Sequence, residues 1–248
     1  MPSTILMPLP DRDFDVTEVA VPWHVLMQAG HQMVFATESG GRRPAADQRL
    51  LDGVIFGRLG AEPDAKALYS ALLEDPAFSD PIPWSEVDPT SVDGLVLAGG
   101  HAPGMRQYLG STELHEKVAA LWATGMPVGA ICHGVVVLAR STDPSTGRSV
   151  LEGHRTTALP KSMERSAFLA TAWRLGRYYR TYPAYVQDEV TAALGVDGEF
   201  LVGPRGLRRD TEATVGSGFV VSDGRYVSAR WPGDAWTFAA AYADRLGT

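Results

Sequence analysis

Short apolar runs alternate along the chain with longer amphipathic stretches, and the alternation predicts strands and helices in turn. Thr4–Pro8 reads as a short strand. Glu18–Ala29 reads as a helix, because Val19, Trp23, Leu26 and Met27 recur at helical spacing and Gly30 stops it. Gln32–Thr37 is again a strand, Asp64–Leu73 is helical, and Gly94–Ala98 is a buried apolar strand ending in Gly99-Gly100. Thr112–Trp122 is predicted helical and Gly125 closes it. Pro127–Ile131 is a further apolar strand that runs directly into Cys132-His133-Gly134 and the apolar Val135–Leu138. Strand and helix signals in this order imply an α/β fold built on a mostly parallel sheet.

The second half is less regular. Val150–Ala158 has room for a short strand, and Ser162–Leu175 and Tyr185–Leu194 read as helices. Gly218–Val221 and Tyr226–Ala229, split by Ser222-Asp223-Gly224-Arg225, predict a hairpin with an Asp-Gly turn. Asp234–Leu246 is a closing helix, apolar at Trp236, Phe238, Ala239 and Tyr242. No Pro/Gly-rich linker and no internal repeat divides the chain, so residues 1–248 are read as one domain with insertions at about 42–90 and 160–215. Within the first of these, Ala45–Pro89 holds five prolines and is expected to be a surface excursion.

Composition narrows the function classes. The 248 residues include 22 basic and 29 acidic side chains, a formal net charge of −7, which disfavours nucleic-acid backbones. A hydrophobic share of 45% against 21% charged is that of a globular chain, not a disordered one. One cysteine, Cys132, excludes an internal disulfide framework and Cys-rich zinc or iron–sulfur sites. No run approaches the ~18 apolar residues of a membrane helix. Met1–Pro8 lacks the basic flank and long apolar core of a signal peptide, so a cytoplasmic protein without membrane association is expected. Among the basic residues only Lys66, Lys117 and Lys161 are lysines. Coding bias explains this most simply, with an arginine surface for carboxylate or phosphate held in reserve.

The most informative segment is Gly129-Ala130-Ile131-Cys132-His133-Gly134, where an apolar strand meets an apolar helix. A nucleophile elbow needs a sharp turn that lifts one side chain above the sheet edge, and the turn crowds the positions two before and two after it. Ala130 and Gly134 stand there. A cysteine at such a helix start is expected to have its pKa lowered by the helix dipole and free N–H groups. Gly99-Gly100-His101-Ala102-Pro103-Gly104 lacks the Lys-Ser/Thr of a phosphate loop and the spacing of a dinucleotide fingerprint. Close backbone approach to an oxyanion is the better use of its glycines, with His101 lining the site. The six histidines show no metal-ligand spacing, so neither metal nor cofactor is expected.

Four blocks resemble the ThiJ/PfpI superfamily, relatives of class I glutamine amidotransferase domains, and within it the heat-shock chaperone and glutathione-independent glyoxalase branch. Thr17–Trp23 with Gly30 resembles the family's first helix and its acid. Ala98–Gly104 resembles its Gly-Gly-His turn, and Ala130-Ile131-Cys132-His133-Gly134 its nucleophile motif. Thr146–Gly153 resembles the segment that follows. The resemblance implies a flavodoxin-like three-layer sandwich with helices on both faces of the sheet. It implies Cys132 as nucleophile, His133 as the adjacent histidine, Glu18 as the acid that shuttles protons at the thiol, and Glu164, thirty-two positions after Cys132, as the acid orienting the histidine. Gly99, Gly100 and the backbone of His133 match the oxyanion donors, and His101 and Arg230 are expected at the substrate. Val135 replaces the proline that commonly follows Cys-His-Gly, and the segments Arg174–Tyr185 and Arg230–Asp234 depart from the family pattern.

The expected activity is attack of Cys132 on a small electrophilic carbonyl, converting a 2-oxoaldehyde to a 2-hydroxy acid without metal or glutathione. The alternatives are a Cys132-His133-Glu164 amidase or peptidase, and a holding chaperone or redox sensor. A homodimer and a small-molecule carbonyl substrate are the expected partners. The aromatic group Trp173, Tyr178, Tyr179, Tyr182 and Tyr185 is expected to be part core and part cap, with a lid over the cysteine as its functional reading.

Overall fold

A computed structural model describes residues 1–205 and 208–247. Seven strands form the central sheet: β1 (Thr4–Pro8), β2 (Gln32–Thr37), β3 (Ile82–Pro83), β4 (Gly94–Leu97), β5 (Val128–Ile131), β6 (Val220–Asp223) and β7 (Tyr226–Ala229). Their order is β6-β7-β5-β4-β1-β2-β3, and every pairing is parallel except the β6–β7 hairpin. Both faces are covered, so Ile5, Leu6 and Met7 of β1 and Leu95, Val96 and Leu97 of β4 are all buried. That is why these strands read as continuous apolar runs and not as alternating ones.

Helix α1 (Val16–Gln28) lies against α2 (Pro63–Leu72) and, on its other side, α7 (Ala235–Leu246), which packs on β5 and β7. The opposite layer holds α3 (Thr112–Ala123) and α4 (Gly134–Arg140), with α6 (Val186–Ala193) against α4. Before α6 comes α5 (Lys161–Leu175), which packs on the Tyr178–Arg180 turn. This is the three-layer α/β sandwich that was expected, and one contiguous core runs through it from Ile5 to Tyr242. No helix among the described residues is long and apolar enough to cross a membrane.

Three local expectations are corrected. The hairpin turn is Gly224-Arg225 and not Asp223-Gly224: Asp223 pairs with Tyr226 as the last rung of the ladder. Gly224 alone takes a positive φ of 58°, the pattern of a type II′ turn with glycine first. The strand expected in Val150–Ala158 shrinks to Arg155–Thr156, which pairs with Glu199–Phe200 outside the central sheet. Ala45–Pro89 is not a surface excursion, because α2 packs on α1 and Tyr69, Leu72, Phe78 and Trp84 are buried. The prolines there mark helix starts and a strand end, as at Pro63 and Pro76 in the first turns of their helices and Pro83 in β3.

Candidate active site

Cys132 follows β5 directly and carries a φ of 57°, one of four non-glycine residues with positive φ among the described residues. Such a backbone costs about 1–3 kcal/mol and survives only where its surroundings enforce it. Here the Cys132 N–H is held by Ala229 O of β7 at 3.0 Å, and α4 begins two residues later. A Cβ on Gly134 would run into the carbonyl oxygen of Leu97, so only glycine fits where the elbow presses against β4. The turn delivers the cysteine to the carboxyl edge of the parallel strands, the usual ligand edge of an open α/β sheet.

Glu18 reaches the same point from the other layer. Asp15 caps α1, its Oδ1 accepting from the N–H groups of Thr17 at 2.8 Å and Glu18 at 3.2 Å. The Asp15 N–H donates to Gly99 O at 2.9 Å, and the Gly99 N–H donates to Glu18 Oε2 at 2.7 Å. The helix start and the glycine turn after β4 are thus tied in both directions. Glu18 Oε1 is buried without a conventional hydrogen-bond partner, and the carboxyl couples to the Cys132 thiol. Burial, and then the neighbouring Asp15, push the Glu18 carboxyl well above the ordinary range, which favours its protonated form. Asp15 is itself pushed up to about 6 by burial.

The same surroundings correct the expected behaviour of the thiol. Burial, then the carboxyls of Glu18 and Asp15, raise Cys132 well above an ordinary thiol. The His133 N–H, which faces the sulfur, lowers it by less. Cys132 has no solvent-exposed surface. In this closed arrangement desolvation and negative neighbours outweigh the dipole of a seven-residue helix, whose influence is worth at most about 2 kcal/mol.

His133 Nδ1 lies 3.5 Å from Cys132 Sγ. Burial, then neighbouring His101 and Arg140, hold its imidazole neutral, well below the usual pKa. Its ring meets that of His101 edge to face at 4.7 Å, and His101 meets Tyr179 at 4.8 Å. Burial lowers His101 to about 4. Of the expected oxyanion donors, the Gly99 N–H is already committed to Glu18, which leaves Gly100 and His133. Neither of these N–H groups donates to another backbone group among the described residues.

Cys132, His133, Glu18, Gly99, Gly100 and His101 therefore converge. Glu164 and Arg230 do not join them through any hydrogen bond. Glu164 is buried at the start of α5, where its Oε2 accepts from the Val186 N–H at 3.1 Å and its Oε1 stands 4.0 Å from Arg180. It makes no hydrogen bond to His133, and burial pushes it up to about 7. Arg230 follows β7, but its guanidinium is a fork on Asp234 (2.8 and 2.9 Å) with a third bond to Pro204 O. Two contributors were missed from sequence. Asp15 was signalled by Asp-x-x-Glu before an apolar run, the pattern of a capping box. Asp47, which accepts the Tyr178 hydroxyl, carried no signal, since its partner is 131 positions away.

A parallel sheet with a positive-φ cysteine at its carboxyl edge and a buried acid beside it defines a class of elbow-bearing α/β proteins. The chain belongs to the ThiJ/PfpI-like family, whose profile matches residues 9–204. It is 30% identical over 179 residues to an uncharacterised protein of Schizosaccharomyces pombe, a match spanning 70% of this chain and 65% of that one. It is 25% identical to a deglycase of Pyrococcus abyssi over 94% of this chain and 93% of the relative. Among solved structures, glyoxalase III of Candida albicans superposes with a TM-score of 0.71 at 19% identity, covering 98% of this chain and 97% of the other. The Rapid Encystment Protein of Francisella tularensis gives 0.72 at 18%, over 98% and 99%.

Proposed function

We propose that the protein is an enzyme that converts 2-oxoaldehydes to 2-hydroxy acids, with Cys132 as nucleophile and Glu18 as proton shuttle. The observation that carries this reading is the fully buried Glu18 carboxyl, held by the Gly99 N–H and set against the elbow thiol. The names of the relatives, deglycase and glyoxalase III, lie in the same direction.

The sulfur attacks the aldehyde carbon as His133 Nδ1, 3.5 Å away, takes the thiol proton and returns it to the new alkoxide. The product is a hemithioacetal. The N–H groups of Gly100 and His133 are the donors available for the oxyanion. The protonated Glu18 gives its proton to the C2 oxygen and takes the C1 hydrogen as a proton, forming an enediol. It then delivers that proton to C2 and takes back the C1 hydroxyl proton, which leaves a thioester of a 2-hydroxy acid and a protonated Glu18. Water cleaves the thioester and restores the thiol. A carboxyl that ends each cycle protonated suits a site that disfavours its charge. The hydrolytic triad has less support, since Glu164 directs its carboxylate to Val186 and Arg180.

Incubation with methylglyoxal, without glutathione, and detection of lactate tests the reading. Wild-type protein forms lactate and Cys132→Ser does not; equal turnover by the two proteins overturns the proposal.

A further inference from the structure

A chain of ring contacts runs from the elbow to a cavity whose walls carry arginine. From the elbow outward, His133 meets His101, His101 meets Tyr179, and Tyr179 meets Tyr178 edge to face at 4.8 Å. Tyr178 and Ala102 then line a cavity of about 430 Å³, within the range of small-molecule pockets. Arg49, Arg106 and Arg177 line it too. Its two acids are already engaged. Asp13 Oδ2 accepts the Gly104 N–H at 2.7 Å, while Asp47 accepts from the Arg49 N–H at 2.9 Å and from the Tyr178 hydroxyl. The guanidinium groups are largely unspent. Arg106 gives one N–H to Thr181 O at 3.0 Å, and Arg49 rests over the Tyr178 ring at 5.3 Å. Neither Arg49 nor Arg177 has a side-chain hydrogen bond or salt bridge among the described residues. In a chain of net charge −7, three guanidinium groups with spare donors round one cavity form a local recognition feature.

We propose that this cavity binds the anionic group, carboxylate or phosphate, of an electrophile whose carbonyl reacts at Cys132. The inference rests on the glyoxalase reading and adds the substrate class: 2-oxoaldehydes bearing a negative charge. Planar guanidinium groups suit both anions, and the Tyr178–Tyr179 pair is the partition between the charged cavity and the thiol. The proposal requires these two rings to move aside, so that the anion is held in the cavity while the carbonyl reaches the buried sulfur.

Hydroxypyruvaldehyde and its phosphate ester differ by the phosphoryl group that carries the charge, and the 2-hydroxy acid formed from the ester is 3-phosphoglycerate. Two measurements separate the cavity from the chemistry. In the first, kcat/KM is compared for the two aldehydes. Wild-type protein favours the ester by roughly tenfold or more, the worth of one charge-assisted hydrogen bond. The preference collapses in R49Q/R177Q and fades toward about 1 M salt. Arg148→Gln, on a remote surface, keeps it. In the second, 3-phosphoglycerate and glycerate are titrated calorimetrically into Cys132→Ser protein, where no turnover is needed. Binding of the phosphate ester alone, lost in the R49Q/R177Q background, supports the cavity even if neither aldehyde is turned over, a result that would sink the glyoxalase reading instead. Turnover of both aldehydes at equal efficiency, or binding of 3-phosphoglycerate that survives loss of both arginines, overturns the anion site and leaves the glyoxalase reading standing.

Discussion

Glu18 stands three positions after its helix cap, and every atom of it is shielded from water. Burial favours the protonated form of a carboxyl so placed, yet whenever it ionises it raises the neighbouring thiol by charge repulsion. Glu18→Gln removes the second effect and retains the first geometry, because a glutamine oxygen still accepts the Gly99 N–H that Oε2 now holds at 2.7 Å. The midpoint of Cys132 alkylation against pH therefore shifts downward in Glu18→Gln, though burial keeps it above that of a free thiol. Turnover falls by about 10²–10⁴-fold, the range for loss of a general acid–base group. A midpoint that stays put or rises would show that the carboxyl does not act on the sulfur. Residue pairs of this kind are only half legible in sequence. Ala130 and Gly134 announced the elbow, because crowding two positions either side of a nucleophile leaves a local mark. The closed thiol did not announce itself, because its pKa depends on burial and on the carboxyls of Glu18 and Asp15, which come from far away in the chain.

At the scale of elements, the elbow is a contact between three strands and one helix. β7 holds the Cys132 N–H, β5 leads into it, and Gly134 lets α4 begin against the Leu97 carbonyl of β4. Gly134→Ala forces that helix start away from β4. It destabilises the fold by about 1–3 kcal/mol in urea denaturation, the usual cost of an overpacked site, and abolishes lactate formation even where the protein remains folded. The junction of α5 and α6 makes a different prediction. Glu164 ties the two helices by accepting the Val186 N–H, and burial raises its pKa from 4.5 to about 7. A folded-state pKa above the unfolded one means that the native state binds the proton more tightly. Its stabilisation is therefore complete below about pH 4.5 and lost as the pH rises through about 7. Compared at about pH 5 and about pH 8, wild-type protein loses more stability than Glu164→Gln, by at most about 3 kcal/mol. Parallel slopes for the two proteins would contradict a buried, proton-binding Glu164. Helix starts and strands were legible wherever the periodicity was local, as in α3 and β4. The partners of Glu164 were not legible, because spacing along a helix says nothing of which neighbour the side chain meets: they are Val186 and Arg180, from the next turns of chain.

Across the whole molecule, the sheet places the thiol at its carboxyl edge, and the Tyr178–Tyr182 segment packs beside that edge, Tyr179 against the His101 ring and Thr181 on the His101 carbonyl. The alternation of strands foretold the first half of this arrangement, since each parallel strand needs both faces covered and so reads as apolar throughout. The aromatic residues Trp173–Tyr185 suggested a cap, but its fastenings were not legible, because they run through loop carbonyls and a distant aspartate. Thr181 donates its hydroxyl to His101 O, Tyr178 to Asp47 and Tyr182 to Met105 O, while Arg106 donates to Thr181 O, so hydrogen bonds between distant segments fasten the cover at four points. Its apolar contacts are divided: Tyr182 packs on the main core, whereas Tyr178 packs in a small separate cluster with Val54 and Ala102. A region so attached opens at a free energy well below that of global unfolding. Tyr178→Phe deletes one fastening and retains the ring, so it shifts only the opening equilibrium. Iodoacetamide, a small neutral reagent, then modifies Cys132 faster than in wild-type protein by roughly fivefold to tenfold, the effect of one hydrogen bond of about 1–1.5 kcal/mol. The loss of global stability in urea is no larger than that amount, because Asp47 relaxes toward water and keeps its hold on the Arg49 N–H. An unchanged modification rate would mean that the sulfur is reached by a route other than the Tyr178 cover, and that the rings are core alone.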